Sequence, residues 1–204
     1  MGRRDAVSSR DQERRRDLRR RILIFCGGVR TEPDYFEGLR KSAAASNVVM
    51  EVRQRGVALT ALVTAARDHV RLQPGMHDEV WCVADVDEFR DIPSATRDAI
   101  RAGVIVAVSN PCFELWLLLH HVDRRSHAPN CRELNGALTK VLPTYDKTRI
   151  RFADFEAGIA IAIVRGKALD AGNGLDTAGD KVPPNPSTGV WRLVTSIVSA
   201  REAS

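Results

Sequence analysis

The stretch Val80–Phe89, which reads VWCVADVDEF, constrains the fold of this chain more than any other. Five apolar residues, Val80–Ala84, run directly into Asp85 and Asp87. An apolar run this short, rich in β-branched and aromatic residues, predicts a strand that is buried on both faces. Residues i and i+2 of a strand project to the same side. Both carboxylates are therefore expected at the carboxyl end of the strand, where open α/β sheets bind their ligands.

Two interpretations of this acidic pair stay open. Like charges side by side cost energy unless a cation or strong hydrogen bonds offset them, and hard cations such as Mg²⁺ and Mn²⁺ prefer oxygen ligands. The pair therefore predicts a divalent-metal site. The alternative is that Asp85 caps the strand, while Asp87 and Glu88 begin a polar loop.

Three other segments have the composition of strands, namely Arg21–Cys26, Val48–Arg55 and Val104–Val108. Helical segments separate them, and strands that alternate with helices at this spacing imply parallel pairing. We therefore predict an α/β fold with a doubly wound, mostly parallel four-stranded sheet. The alternation stops after His121, and the remaining sequence predicts a C-terminal helical extension whose last helix covers Ser187–Ala203.

The basic residues are concentrated at the start of the chain. The formal net charge is +5, and residues 1–21, with nine arginines and four acidic residues, carry all of this excess. Such a segment can neutralise nucleic-acid phosphates, dock on an acidic partner or form a solvated helix, and these alternatives stay open. We predict a basic N-terminal arm over residues 1–20, a core over 21–125 and a helical part packed on that core over 126–204.

Hydropathy and cysteine spacing predict a cytoplasmic protein. No apolar run approaches the roughly 20 residues that span a bilayer, and the N-terminus lacks the apolar segment of a secretory signal. The four cysteines have neither C-x-x-C nor zinc-type spacing, and Cys26 and Cys82 lie in predicted core strands. We expect no association with a membrane.

A glycine turn follows the first predicted strand. Gly27 and Gly28 lead to Thr31, a good N-cap residue, and Pro33 suits the first turn of a helix. A strand, a glycine turn and a helix N-terminus together form a potential anion site, because free backbone N–H groups and the helix dipole both favour negative charge. The pattern matches neither a Walker motif nor G-x-G-x-x-G, so a phosphate site here is a hypothesis.

A second predicted helix start contains an acidic residue. Asn110 as N-cap and Pro111 at the first position predict a helix over Cys112–His121, which is apolar almost all round. Glu114 is the exception. The helix dipole favours an acid there, but ionised carboxylates are seldom buried unpaired, so we expect Glu114 to face the same cleft as Asp85. If these two side chains lay on opposite sides of the molecule, the predicted site would not exist.

Four segments, in this order, resemble the RloB-like proteins: ILIFCGGVRTEPDYF, VWCVADVDEF, SNPCFELWLLLH and YDK. The resemblance covers Arg21–Val198, and SNPCFELW is its most specific part. RloB-like proteins are similar to Toprim domains, the Mg²⁺-dependent α/β module of topoisomerases, primases and OLD-type nucleases. The resemblance implies a Toprim-like fold and a nuclease-like subunit linked to restriction or anti-phage defence by abortive infection. It also implies an AAA/ABC-type ATPase as partner.

The resemblance also implies roles for individual residues. In the Toprim pattern a glutamate after the first strand serves acid–base chemistry and a D-x-D motif holds the metal ion. Asp85 and Asp87 match the second feature, whereas Gly27 stands where the family has its glutamate. The implied ligands of Mg²⁺ or Mn²⁺ are Asp85, Asp87 and Glu114, and the implied catalytic residues are these three together with Glu32 and Lys147. The residues implied to contact nucleic acid or phosphate are Gly27, Gly28, Arg30, Asn110, Tyr145 and Arg165.

Three functions stay open. The first is a Toprim-like phosphodiesterase that cleaves nucleic acid, with Glu32 or Glu114 compensating for the missing glutamate. The second is a catalytically degenerate Toprim-like subunit that binds nucleic acid or the ATPase without cleaving, which Gly27 favours. The third is a sensor of a phosphate ligand. The choice between DNA and RNA, and between a monomer and a homo-oligomer, does not follow from the sequence.

Overall fold

The computed structural model of the chain describes residues 19–86, 91–172 and 181–199. Within these ranges the centre of the fold is a five-stranded sheet in the order β2-β1-β3-β4-β5. The strands are β1 (Arg20–Cys26), β2 (Val48–Gln54), β3 (Glu79–Asp85), β4 (Ile105–Asn110) and β5 (Ser187–Thr188). Strands β1 to β4 are mutually parallel, and β5 pairs antiparallel with β4.

The prediction of an α/β fold with a mostly parallel sheet is confirmed, but the count of four strands was wrong. The fifth strand has only two residues, and both were predicted to belong to the last helix. Their side chains are buried and β5 forms because the edge of β4 offers it backbone partners. Most of the predicted arm, residues 1–18, and Asp87 lie outside the described residues.

Eight α-helices and one short 3₁₀ helix (Ala43–Ala45) are described. The α-helices are α1 (Thr31–Lys41), α2 (Leu59–Leu72), α3 (Ile92–Arg101), α4 (Glu114–Leu119), α5 (Cys131–Val141), α6 (Ala153–Glu156), α7 (Ile159–Gly172) and α8 (Val190–Ser199). Among the described residues, no helix combines the length and the apolarity that a bilayer-spanning segment needs.

The central strands β1, β3 and β4 are buried on both sides, as their continuous apolar runs require. On one side, the front face, Ile22, Ile24, Trp81 and Val83 pack in one apolar cluster with α1 and with the helices that follow β4. On the other side, the back face, the alternate strand residues pack against α2 and α3. The front-face cluster therefore includes residues from both sides of position 125.

Aromatic side chains dominate the front-face cluster. The rings of Tyr35, Phe113, Trp116 and Phe155 are almost completely buried, and edge-to-face contacts join Tyr35 to the other three. Burying a side chain of this size contributes roughly 1.5–3 kcal/mol. This packing holds α1 and α4 side by side on the front face, and both helices begin beside the carboxyl ends of the central strands.

Two predicted helix caps were wrong. Asn110 does not cap a helix, because it is the last residue of β4 and its side chain donates to the carbonyl oxygen of Pro183 at 2.6 Å. Helix α4 begins four residues later, at Glu114. Thr31 is the first residue of α1 rather than its cap, and its hydroxyl lies 3.5 Å from the carbonyl oxygen of Lys147.

Candidate functional site

Asp85 and Glu114 lie on the same side of the sheet. Asp85 follows Trp81 and Val83 at a spacing of two, so its side chain projects from the front face of β3. Glu114 begins α4, whose residues all belong to the front-face cluster apart from Glu114 itself. Both acids are nearly buried, with 8% and 7% of their surface exposed. The predicted site would have been excluded if Asp85 and Glu114 lay on opposite sides of the molecule, and this arrangement is not observed.

The carboxyl ends of three neighbouring strands form the floor of this site. Asp85 pairs with Ser109 of β4, and the backbone N–H of Val86 donates to the Ser109 carbonyl at 2.9 Å. On the other side of β3, the N–H of Gly27 donates to the carbonyl of Val83 at 2.9 Å. These ladder hydrogen bonds place the glycine turn next to the end of the strand that carries Asp85.

Glu32 brings a third buried carboxylate to this region. It lies in the first turn of α1, has 5% of its surface exposed, and reaches back over the glycine turn to accept a hydrogen bond from the Gly28 N–H at 3.2 Å. A Cβ atom at position 28 would lie 2.2 Å from Glu32 Oε2, so only glycine allows this close approach. Burial raises the pKa of the Cys26 thiol at the end of β1, and the nearby charge of Glu32 raises it further.

The turn that contains Tyr145 and Lys147 closes the site from the side of α1. The hydroxyl of Thr31 and the guanidinium of Arg30 lie 3.5 Å from the carbonyl oxygens of Lys147 and Thr148. Burial raises the pKa of the Tyr145 phenol, and the charges of Glu114 and Asp146 raise it further. Arg30 and Lys147 are both exposed, so their charges are available to an anionic ligand.

Two of the residues assigned to phosphate contact have other contacts in the structure. The side-chain amide of Asn110 binds the backbone of Pro183, as described above. Arg165 lies on α7 and donates to the carbonyl oxygen of Leu119 at 2.7 Å, which is the end of α4 opposite to Glu114. Its guanidinium satisfies a helix C-terminus, where positive charge is favourable. Asp87, the second residue of the D-x-D motif, lies outside the described residues.

Two cysteines lie beside Glu114, and this proximity was not predicted from the sequence. Cys112 and Cys131 form a disulfide bond, with their Cα atoms 5.9 Å apart. Their sulfur atoms and a Glu114 carboxylate oxygen all lie within 4.8 Å of one another. In the described parts of the chain, no other three histidine, cysteine or acidic side chains approach each other this closely. The two cysteines are 19 positions apart, a spacing that matches no common cysteine motif and therefore did not predict the pair.

Comparison with known proteins identifies one family. The model of the family described as RloB-like protein matches residues 22–197, which is most of the chain. The match runs from the third residue of β1 to within two residues of the end of α8. The chain matches no curated protein and no solved structure.

Proposed function

The chain belongs to the RloB-like family, and on this basis we propose that it is a Toprim-like, metal-dependent phosphodiesterase that cleaves nucleic acid. The observation that carries the proposal is the position of the Glu32 carboxylate. It lies against the Gly28 N–H, directly after β1, where the Toprim pattern places a glutamate and this chain has Gly27. In this proposal Glu32, five positions further along the chain, takes the role of the missing carboxylate.

The donor set suits a hard divalent cation. Asp85 and Glu32 are carboxylates with less than a tenth of their surface exposed, and they lie beside neighbouring strand ends. Carboxylate oxygens are the preferred ligands of Mg²⁺ and Mn²⁺. We assign the ion to Asp85 and Asp87, with Glu32 or Glu114 completing the set. The bound ion would polarise a phosphoryl oxygen and offset its charge.

The surrounding residues have separate tasks in this proposal. Arg30 and Lys147 are exposed cations on either side of the contact between α1 and the Tyr145 turn, so they can neutralise and orient the phosphate. Glu32 is the candidate general base, because it is the buried acid at the end of β1. The apolar front-face cluster beneath these groups excludes water and keeps the carboxylates in a medium of low polarity.

The second candidate is a degenerate subunit that binds nucleic acid without cleaving it. Gly27 favours this hypothesis because it lacks the carboxylate of the family pattern. The hydrogen bond that Gly28 donates to one Glu32 oxygen also favours it, because that oxygen is already occupied. The φ angle of Gly27 is not in the left-handed region, in contrast to Gly56, Gly75 and Gly103. Residues other than glycine can adopt such a φ angle, so Gly27→Glu restores the family pattern without a strained backbone at this position.

The two candidates are separated by a cleavage assay on labelled DNA and RNA with Mg²⁺ or Mn²⁺. We expect cleavage by the wild type, and a loss of roughly 10²-fold or more in Asp85→Asn and in Glu32→Gln. The matched controls are Asp98→Asn and Glu37→Gln, which remove charges that form surface ion pairs on α3 and α1. Cleavage that appears only in Gly27→Glu would establish the degenerate subunit instead.

Binding of Mn²⁺, followed by its electron paramagnetic resonance signal, tests the metal site without requiring catalysis. We expect the wild type to bind the ion, and Asp85→Asn to bind it at least about tenfold more weakly while Asp98→Asn binds normally. Equal binding by both variants would refute the metal assignment.

The family also suggests a partner, and we propose an AAA/ABC-type ATPase that acts together with this subunit. Co-purification with an ATPase encoded next to this chain tests that assignment. If the cleavage assay is negative for the subunit alone, it is repeated with the ATPase and ATP present. Cleavage only in the complete mixture would support joint action, and the absence of any complex would refute it.

A further inference from the structure

We infer that Cys112, Cys131 and Glu114 form a binding site for Zn²⁺ when the two cysteines are reduced. Their ligand atoms, two sulfurs and one carboxylate oxygen, all lie within 4.8 Å of one another. Two thiolates that bind one tetrahedral Zn²⁺ at about 2.3 Å have sulfur atoms about 3.8 Å apart. Small movements of the two side chains therefore convert the bonded pair into a metal-binding pair.

Besides the sulfur–sulfur bond, the packing of α4 against α5 brings these residues together. Cys112 is buried in the short connection between β4 and α4, two residues before Glu114, and Cys131 is the first residue of α5. The side chain of Asn130 caps α5 by accepting a hydrogen bond from the Glu133 N–H at 3.1 Å. A sulfur at a helix N-terminus is favoured as the thiolate, which is the form that binds metals.

The ligand chemistry selects the metal. Thiolates are soft ligands that favour Zn²⁺ over Mg²⁺, whereas the carboxylates of Asp85 and Glu32 favour hard cations. Two sulfurs and one oxygen supply three protein ligands, and zinc sites with three protein ligands keep a fourth position open. The inference thus concerns a second site, which is distinct in its chemistry from the proposed Mg²⁺ site and shares only Glu114 with it.

A polar cavity lies beside Cys131, one of the three proposed ligands. It has a volume of about 470 Å³, and Cys131, Asn135, Tyr145 and Lys147 are among the residues that line it. Asn135 Oδ1 and the Tyr145 hydroxyl are buried, and neither has a hydrogen-bond partner in the described parts of the chain. Buried polar atoms without partners are unfavourable, so this cavity is suited to a water molecule or a small polar ligand.

Formation of the site requires a reductant, because the sulfurs are bonded to each other in the structure. A phosphine or dithiol reductant transfers two electrons to the sulfur–sulfur bond, two protons complete the thiols, and the reductant is oxidised. Zn²⁺ then replaces the two thiol protons, which are released to solvent. Oxidation of the cysteines to the disulfide removes both sulfur ligands, so the two states of the pair exclude each other.

The test measures Zn²⁺ and Co²⁺ binding to the full chain, without nucleic acid, after reduction with a phosphine and removal of metals with a chelator. We expect one equivalent of Zn²⁺ in competition with a chromophoric chelator, and a sulfur-to-cobalt charge-transfer band with Co²⁺. Both should disappear in Cys112→Ser and Cys131→Ser, and Glu114→Gln should weaken Zn²⁺ binding by roughly tenfold or more. The matched control is Cys82→Ala, which removes a free buried cysteine of β3 and should change neither result.

The oxidised wild type provides a comparison that does not depend on any variant. The protein with the disulfide intact should bind no Zn²⁺ at this site, and adding the phosphine should restore one equivalent. Equal Zn²⁺ uptake by the oxidised and reduced protein would overturn the inference, as would a cobalt band that persists in Cys131→Ser. These measurements detect no cleavage, so they are independent of whether the chain is a nuclease.

Discussion

The Tyr35 hydroxyl donates a hydrogen bond to Nε2 of His120 across a distance of 3.1 Å, and this contact joins α1 to the end of α4. The other ring nitrogen, Nδ1, lies 2.9 Å from the carbonyl oxygen of Trp116 and must therefore carry the proton. Both ring nitrogens of the neutral imidazole therefore make a hydrogen bond. A second proton on the ring would turn Nε2 from an acceptor into a donor, and the hydrogen bond from the Tyr35 hydroxyl would be lost. Burial lowers the pKa of His120 to about 4.

We predict that acidification destabilises the protein through His120. The pKa falls from 6.5 in the unfolded chain to about 4 in the folded one, so between these values the unfolded chain binds more protons. The contribution of His120 to the free energy of unfolding is therefore fully present above pH 6.5. It is lost as the pH decreases from 6.5 to about 4, by about 3 kcal/mol in total. Urea unfolding of the wild type and His120→Gln at pH 7.5, 6 and 5 measures the effect.

Other histidines contribute to the same window, so the comparison of variants isolates His120. Burial also lowers the pKa of His69 and His77, and these contributions should be equal in the wild type and in His120→Gln. His120→Gln should be less stable at pH 7.5 and should lose less stability on acidification, whereas the exposed His127→Gln should behave as the wild type. Parallel pH profiles for the wild type and His120→Gln would contradict the prediction.

We predict that Gly28→Ala weakens Mn²⁺ binding while the fold stays intact. The added Cβ would lie 2.2 Å from Glu32 Oε2, so the flexible end of Glu32 must leave the glycine turn. Because φ at Gly28 is not in the left-handed region, alanine should change the free energy of unfolding by only roughly 1 kcal/mol. The control is Gly136→Ala, whose Cβ meets no atom within 4 Å. Normal Mn²⁺ affinity in Gly28→Ala would show that Glu32 does not hold the ion.

We predict that substitution of Arg30 affects nucleic-acid binding, whereas substitution of Arg165 affects the stability of the fold. Arg30 is exposed beside the Tyr145 turn, so Arg30→Gln should weaken nucleic-acid binding with little change in the melting temperature. Arg165 binds the last carbonyl group of α4, so Arg165→Gln should lower the free energy of unfolding by about 1–2 kcal/mol and leave nucleic-acid affinity unchanged. Fluorescence anisotropy and thermal unfolding measure the two effects. The reverse pattern would place the phosphate contact near α7.

The basic arm should control the salt dependence of nucleic-acid binding. Residues 1–20 contain most of the arginines that account for the net charge of +5. Each phosphate that they neutralise releases counterions, so deletion of residues 1–18, which leaves β1 complete, should weaken binding and flatten the plot of log affinity against log salt concentration. Titrations at several salt concentrations test this. An unchanged slope would assign the arm to another partner.

The sequence by itself determined the three central strands, β1, β3 and β4, because they are buried on both faces and carry unbroken apolar runs. The segments around Cys26, Asp85 and Val108 were predicted as strands and are neighbours in the sheet, and Gly103, two residues after the end of α3, has a left-handed φ of +68° that glycine adopts without strain. Hydrophobic periodicity and glycine conformations are local properties, and a single segment carries the whole signal.

Only the tertiary structure determined which groups Glu32 and the two cysteines contact. Glu32 was one of two acids proposed to compensate for Gly27, and only the packing of α1 brings its carboxylate onto Gly28. Cys112 and Cys131 meet because α4 and α5 pack together, across 19 residues of chain. Such proximities depend on contacts between distant segments, and no local pattern records them. For the same reason Asn110 was predicted as a helix cap, whereas its partner, Pro183, lies far along the chain.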